Sequence, residues 1–148
     1  MTRTPAYVVD ASVALKWYFE EDDRPRALAL FSEAARDRCV LYAPAFLVIE
    51  VANAVWKRHQ RGEISLEAGL EIVAANAAIK LEWVEDAELV PRAAELAMTF
   101  GCTVYDALYL AVAEAYEAVV VTADRRLCEK VPEEERKERV RLLEEFAG

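Results

Sequence analysis

Histidine is almost absent from this chain: His59 is the only one in 148 residues. An acid/base mechanism built on two histidines is therefore excluded within one chain. Paired cysteines are also missing. Cys39, Cys102 and Cys128 are odd in number and widely spaced, with no C-x-x-C pair to clasp zinc or cycle a disulfide, and they read as reduced core thiols. No apolar stretch approaches the roughly 20 residues of a spanning helix; no uninterrupted run is longer than Ala43 to Ile49. Met1-Thr2-Arg3-Thr4-Pro5 leads straight into a strand-like run without the pattern of a signal peptide, so the expected location is the cytoplasm. Positive charge is scarce: 18 Lys and Arg stand against 27 Asp and Glu, a net charge of −9 and a pI of about 4.7. Whole-protein attraction to nucleic acid is thereby disfavoured, although a local site that holds a cation is not bound by that balance.

What is present is apolar and regularly broken. Hydrophobic residues make up 55% and mean hydropathy is +0.05, enough for one domain spanning 1–148 with a full core. Ala6-Tyr7-Val8-Val9 reads as a short buried strand ending on Asp10, followed by a helix from Ala11 to Tyr18. After the acidic turn Glu20 to Asp23 comes a helix from Arg24 to Arg38, then a strand at Val40-Leu41-Tyr42, with Pro44 suited to the first turn of the next helix. That helix, Ala45 to Arg61, is apolar all round in its first half except at Glu50 and Asn53, which share a face; its second half is basic, and Gly62 ends it. Ser65 caps a helix to about Ile79, and a strand follows at Leu81 to Val84. A helix from Leu89 or Val90 to Phe100, stopped by Gly101, precedes the long apolar helix opened by Thr103. Val119-Val120-Val121 is a fully buried strand running into Thr122 and Asp124, with a short helix to Lys130. Glu133 to Arg139 reads as a solvated loop and Arg139 to Leu143 as an edge strand. The order β-α-α-β-α-α-β-α-α-β-α-β predicts an α/β fold, a three-layer α/β/α sandwich with a mostly parallel central sheet.

In parallel sheets the reactive groups collect outside the carboxyl ends of the strands. Asp10 and Asp124 stand there. Each of the acids has a structural excuse: Asp10 and Asp124 as helix caps, Asp106 as the partner of Thr103 in a capping box. Glu50 has none on its own helix, where no Lys or Arg lies within a turn. A carboxylate in such apolar surroundings costs several kcal/mol unless compensated. Two readings stand open: Glu50 pairs with an arginine from elsewhere, or it points into one acidic pocket with the three aspartates. Four carboxylates in one pocket need a positive partner, and hard Mg²⁺ or Mn²⁺ is the cation suited to oxygen ligands that also keeps water and phosphate in its shell. Such an ion activates water and stabilises a leaving oxygen on phosphorus.

V-V-D-A-S near the start, P-x-x-x-x-x-E-x-x-N in the third helix, T-x-x-D-A-L-Y-L-A-V-A and V-V-T-A-D-R-R-L occur in that order. Together they resemble the PIN-domain nucleases, and within them the VapC-type toxins of toxin–antitoxin pairs. The likeness covers nearly the whole chain. It implies a Mg²⁺- or Mn²⁺-dependent endoribonuclease with Asp10, Glu50, Asp106 and Asp124 as its acidic quartet. Asp10 and Asp106 would be the primary ligands, Asp124 would complete the site or hold a second ion, and Glu50 would act through a bound water. Ser12, Asn53 and Thr122 fall at orienting positions. An inhibiting antitoxin and a homodimer are the implied partners. The overall acidity is the main departure from an RNA-cutting protein.

Arg125, Arg126, Lys57 and Arg58, with Arg61, are the local cations available to RNA phosphates. Metal-activated water, attacking in line, would leave a 5′-phosphate and a 3′-hydroxyl. Two rivals come from other classes. A phosphate-handling domain of receiver or phosphatase type wants a D-x-D pair, which Asp10-Ala11-Ser12 lacks. A non-catalytic interaction domain would use the acidic pocket for partner binding, with Trp17, Tyr18 and Phe19 as an aromatic surface unless these belong to the core.

Overall fold

The computed structural model describes residues 3–146. Five strands, β1 (Ala6–Val9), β2 (Val40–Pro44), β3 (Glu82–Val84), β4 (Val119–Thr122) and β5 (Val140–Leu142), form one sheet in the order β3-β2-β1-β4-β5, every neighbouring pair parallel. Eight helices surround it: α1 (Ala11–Ala14), α2 (Arg24–Ala35), α3 (Phe46–Gln60), α4 (Leu66–Ala78), α5 (Val90–Phe100), α6 (Val104–Ala115), α7 (Arg125–Lys130) and α8 (Glu133–Arg139). This is the three-layer α/β/α sandwich that the alternation of elements predicts.

The centre of the sheet follows from its β-branched runs. Val8 and Val9 of β1 and Val120 and Val121 of β4 are fully buried, and the strands pair with Val8 opposite Val120 and Val9 opposite Val121. A strand covered on both faces has no use for alternation, which is why these segments read as unbroken valine. The same logic holds for α6, in which every residue from Ala107 to Ala113 is buried. A helix apolar on all sides must lie inside.

Several boundaries differ from the sequence reading, each for a local reason. Glu133–Arg139, expected as a solvated loop, is helix α8. Three glutamates occupy its first turn and Arg136, Lys137 and Arg139 its last, matching both ends of the helix dipole, and Glu135 pairs with Arg139 one turn on at 3.0 Å. Pro44 is the last residue of β2 rather than the first turn of α3. It pairs with Val84 of β3, while the ladder to β1 has already stopped at Tyr42, so its missing N–H breaks no bond on that side. The Ala11–Tyr18 helix tightens after one turn into a 3₁₀ segment, Leu15–Trp17. The Arg24 helix ends at Ala35 because Asp37 turns the chain at a φ of 57°.

Trp17, Tyr18 and Phe19 are not an open aromatic surface. The Trp17 indole donates to the Ala27 carbonyl at 2.9 Å and packs edge-on against Phe31, Tyr18 donates to Asn76 at 3.1 Å, and the Arg58 guanidinium covers the Phe19 ring. All three cysteines are free thiols, Cys39 and Cys128 buried and Cys102 partly so.

Leu47 of α3 is fully buried and Met98 of α5 is 84% exposed. Leu47→Ala is expected to lower unfolding free energy by about 2–5 kcal/mol and Met98→Ala by less than about 0.5, both read from urea denaturation. Equal midpoints for the two variants would contradict this core.

Candidate active site

The chain builds β1, β2 and β3 outward in one direction, then returns to lay β4 and β5 on the other side of β1. The connections leaving β1 and β4 therefore diverge, and a crevice opens at their carboxyl ends. Asp10 follows β1 directly and Asp124 lies just beyond Thr122, the last residue of β4.

Asp10 is the centre of a compact hydrogen-bond arrangement. It caps α1, with Val13 N–H donating to Oδ1 at 3.2 Å. Ser12 Oγ also donates to Oδ1, and Thr122 Oγ1 donates to Oδ2. Each hydroxyl in turn accepts a backbone N–H from the turn after β4, Ser12 from Ala123 at 2.9 Å and Thr122 from Asp124 at 3.0 Å. A hydroxyl has one proton to give, and here both are committed to Asp10. The two relays lock the end of β4 to the carboxylate at the end of β1. Despite these donors the Asp10 carboxyl is pushed up to about 6, because burial penalises its charge more than the hydrogen bonds favour it.

The other three acids come from separate elements. Asp124 caps α7 by accepting from Arg126 N–H at 2.9 Å, and the Arg126 guanidinium lies 3.7 Å from the same oxygen. Asp106 sits in the first turn of α6, where Thr103 Oγ1 accepts its N–H at 3.1 Å. Burial raises the Asp106 carboxyl, and the nearby charge of Asp124 raises it further. Glu50 accepts a hydrogen bond from the phenol of Tyr109, which is itself 1% exposed. Burial lifts Glu50, and the charges of Asp10 and Asp106 add to the shift. Tyr109 is held far above the ordinary phenol range by burial and by Glu50, so it remains a donor. Asp10 and Asp124 are thus both helix caps, Asp10 buried and Asp124 also lining an open groove. The arginine partner offered as one reading of Glu50 is not there: its partner is a tyrosine, and among the described residues neither Glu50, Asp10 nor Asp106 has an ion pair.

Asp106 and Asp124 line an open groove of about 450 Å³ together with Thr103, Cys102, Arg126 and Lys130. Burial and Asp106 both raise the Cys102 thiol, which keeps it neutral. Of the cations expected near RNA, Arg126 lines this groove, Arg125 is paired with Glu144, Arg58 is tied to Glu21, and Lys57 is exposed on α3. Asn53 is exposed on α3 and has no hydrogen bond to the four acids among the described residues. Two participants escaped the sequence reading. Tyr109 lay hidden as the last letter of T-x-x-D-A-L-Y, its spacing from Asp106 being the available signal, and Lys130 was one turn from Arg126 on α7.

The donor set suits a hard divalent cation: oxygen ligands, mutual repulsion and no compensating ammonium or guanidinium at Asp10 or Glu50. Among the described residues no group of three or more acidic, histidine or cysteine side chains is placed to hold a metal ion. That arrangement is compatible with an ion that keeps several waters and takes only one or two carboxylates directly.

The sheet and its acidic rim define a parallel three-layer α/β protein, and residues 7–134 match the PIN domain; the chain belongs to that family. Ribonuclease VapC3 of Pyrobaculum aerophilum is 34% identical over 129 residues, which cover 84% of this chain and 94% of the relative. Within the PIN-domain family the chain is thus of VapC type. The crystal structure of PAE2754 from Pyrobaculum aerophilum shares 25% identity at a TM-score of 0.70, covering 96% of this chain and 86% of that one. VapBC2 from Rickettsia felis, solved bound to a DNA fragment from its promoter, shares the fold at a TM-score of 0.62 and 14% identity, over 93% of this chain and 98% of that one.

The burial of Asp10 has a measurable sign. Between its ordinary value of 3.8 and about 6 the folded state binds a proton that the unfolded state releases, so metal-free stability falls as pH rises through that window and stays low above it. Asp10→Asn is expected to raise the metal-free unfolding free energy at pH 7 by up to about 3 kcal/mol and to flatten the decline between about pH 4 and 6. Urea denaturation in EDTA across this range checks both, and an Asn variant less stable than the parent at pH 7 would contradict the reading.

Proposed function

We propose that this protein is an endoribonuclease that hydrolyses RNA phosphodiesters with bound Mg²⁺ or Mn²⁺, as the toxin of a toxin–antitoxin pair. The observation that carries the reading is the convergence of Asp10, Glu50 and Asp106, from three elements, into mutual electrostatic contact, with Arg126 the one basic charge felt, at Asp106, and no ion pair to any of the three among the described residues. A folded protein keeps such repulsion where a function needs it. Kinship with a VapC ribonuclease gives the same direction.

In this reading Asp10 and Asp106 hold the ion, Asp124 completes the site, and Glu50 reaches it through water. A divalent ion held there would supply Lewis acidity, favouring deprotonation of water and stabilising charge on the leaving oxygen. Ser12 and Thr122 fix both oxygens of Asp10, so that the carboxylate enters the site in one orientation. Tyr109 does the same for one oxygen of Glu50 and leaves the other free. Arg126 and Lys130 flank the aspartates and receive the phosphates on either side of the cut. His59 takes no part: it lies nine residues beyond Glu50 on α3, roughly 13 Å along the helix, with its ring against the Ile64 carbonyl. Water attack leaves a 5′-phosphate and a 3′-hydroxyl. Inhibition by an antitoxin belongs to the same reading, which the VapBC2 assembly of Rickettsia felis supports for a protein of this fold, and self-association is a further part of the proposal.

Purified protein is expected to cut structured RNA with Mg²⁺ or Mn²⁺, to stop in EDTA, and to be silent as Asp10→Ala or Asp106→Ala. Thr122→Val, which keeps the shape and removes the hydroxyl, is expected to lose about 10–100-fold in activity. Cleavage that survives EDTA, or 2′,3′-cyclic phosphate ends on the product, would end the metal-hydrolysis proposal.

A further inference from the structure

Two cross-helix contacts join α3 to α6. Glu50 meets Tyr109 through a hydrogen bond, and Phe46 meets Tyr105 through stacked rings, 5.2 Å between centroids at an interplanar angle of 10°. Phe46 precedes Glu50 by four residues and Tyr105 precedes Tyr109 by four, so each pair of side chains shares a helix face. Both contacts step in the same sense, which means that α3 and α6 run parallel here. The ring pair therefore lies one turn, roughly 5–6 Å, nearer the helix N-termini than the Glu50 contact. Those N-termini are at the carboxyl rim of the sheet, where Asp10 and Asp124 also lie.

The ring pair is held firmly on one side and bare on the other. Phe46 N–H donates to the Asp86 carboxylate at 2.8 Å, which anchors the start of α3. Tyr105 stands next to Asp106 in the first turn of α6 and is 62% exposed although Phe46 covers one of its faces. Its outer face is thus open to solvent beside the acidic site. Burial does not explain a ring so placed, since most of its apolar area remains in water.

We propose that Tyr105, backed by Phe46, is a nucleobase subsite on which a base of single-stranded RNA next to the scissile phosphate stacks. The inference rests on the ribonuclease reading and adds what that reading lacks, a contact to a base. Carboxylates repel the RNA backbone unless a cation intervenes, and Arg126 and Lys130 supply only phosphate contacts. A flat exposed ring takes any base by its face, independent of sequence. The subsite positions RNA over the acids and favours unpaired substrates, whose bases are free to leave the stack.

The test uses the full chain and labelled single-stranded oligoribonucleotides, intact or lacking one base at successive positions. Binding is followed by fluorescence anisotropy with Ca²⁺, and cleavage in parallel with Mg²⁺ or Mn²⁺. Removal of one base beside the cut is expected to weaken wild-type binding about tenfold. Tyr105→Leu is expected to weaken binding of the intact oligonucleotide by a similar factor and to be indifferent to the missing base, whereas Tyr105→Trp keeps both properties. Equal thermal melting of the three proteins separates this loss from a folding defect, and the abasic series on the wild type needs no variant. Tyr105→Leu that binds and discriminates like the parent overturns the subsite. So does a Tyr105→Leu variant whose mass in solution, without RNA, differs from the parent's, because the ring would then belong to a contact between copies. Tyrosine-dependent base discrimination without cleavage in either metal would support the subsite and refute the hydrolysis reading, and failure to bind any of the oligonucleotides would overturn both.

Discussion

Carboxylates held out of water are the constraint on which this structure depends. Asp10 is only 8% exposed and its carboxyl is lifted to about 6 even with three hydrogen-bond donors directed at it. The donors are the more telling part. Ser12 and Thr122 each pass a backbone N–H of the β4–α7 turn on to the carboxylate, so the acid at the end of β1 and the chain leaving β4 are fixed relative to each other. The topological switch between β1 and β4 creates the crevice, and these relays set its geometry.

The remaining acids reach the crevice through helices whose own stability does not require them there. Asp106 is carried by the first turn of α6, the most deeply buried helix, and Glu50 by the apolar half of α3. Tyr109 links the two. Its phenol faces Glu50 rather than water, which satisfies one oxygen of a half-buried carboxylate without neutralising it. An arginine in the same place would have cancelled the charge that a cation site needs.

A chain with a net charge of −9 meets an anionic polymer by local means or not at all. Its arginines are mostly occupied: Arg24, Arg26, Arg38, Arg58, Arg92, Arg125 and Arg139 all pair with glutamate or aspartate. Arg126 and Lys130 differ in lining the groove beside Asp106 and Asp124. The stacked rings of Phe46 and Tyr105 add a contact that does not depend on charge, which suits an acidic protein better than further cations would.

Local pattern alone determined that valine runs at Val8 and Val119 are central strands, that the Thr103 helix is buried, and that Asp10 and Asp124 stand at strand ends, because two-sided burial and helix capping leave their mark within a few residues. The family resemblance in its four motifs came from the same local spacing. Glu133–Arg139 was misread since charge density looks alike in a solvated loop and in a helix held by its own dipole and ion pairs. What only the tertiary structure decided is which groups meet. Tyr109 against Glu50 and the Thr122 hydroxyl against Asp10 join residues 59 and 112 positions apart in one chain, and the rotamer that turns a phenol toward a carboxylate is chosen by packing between helices, to which linear spacing is blind.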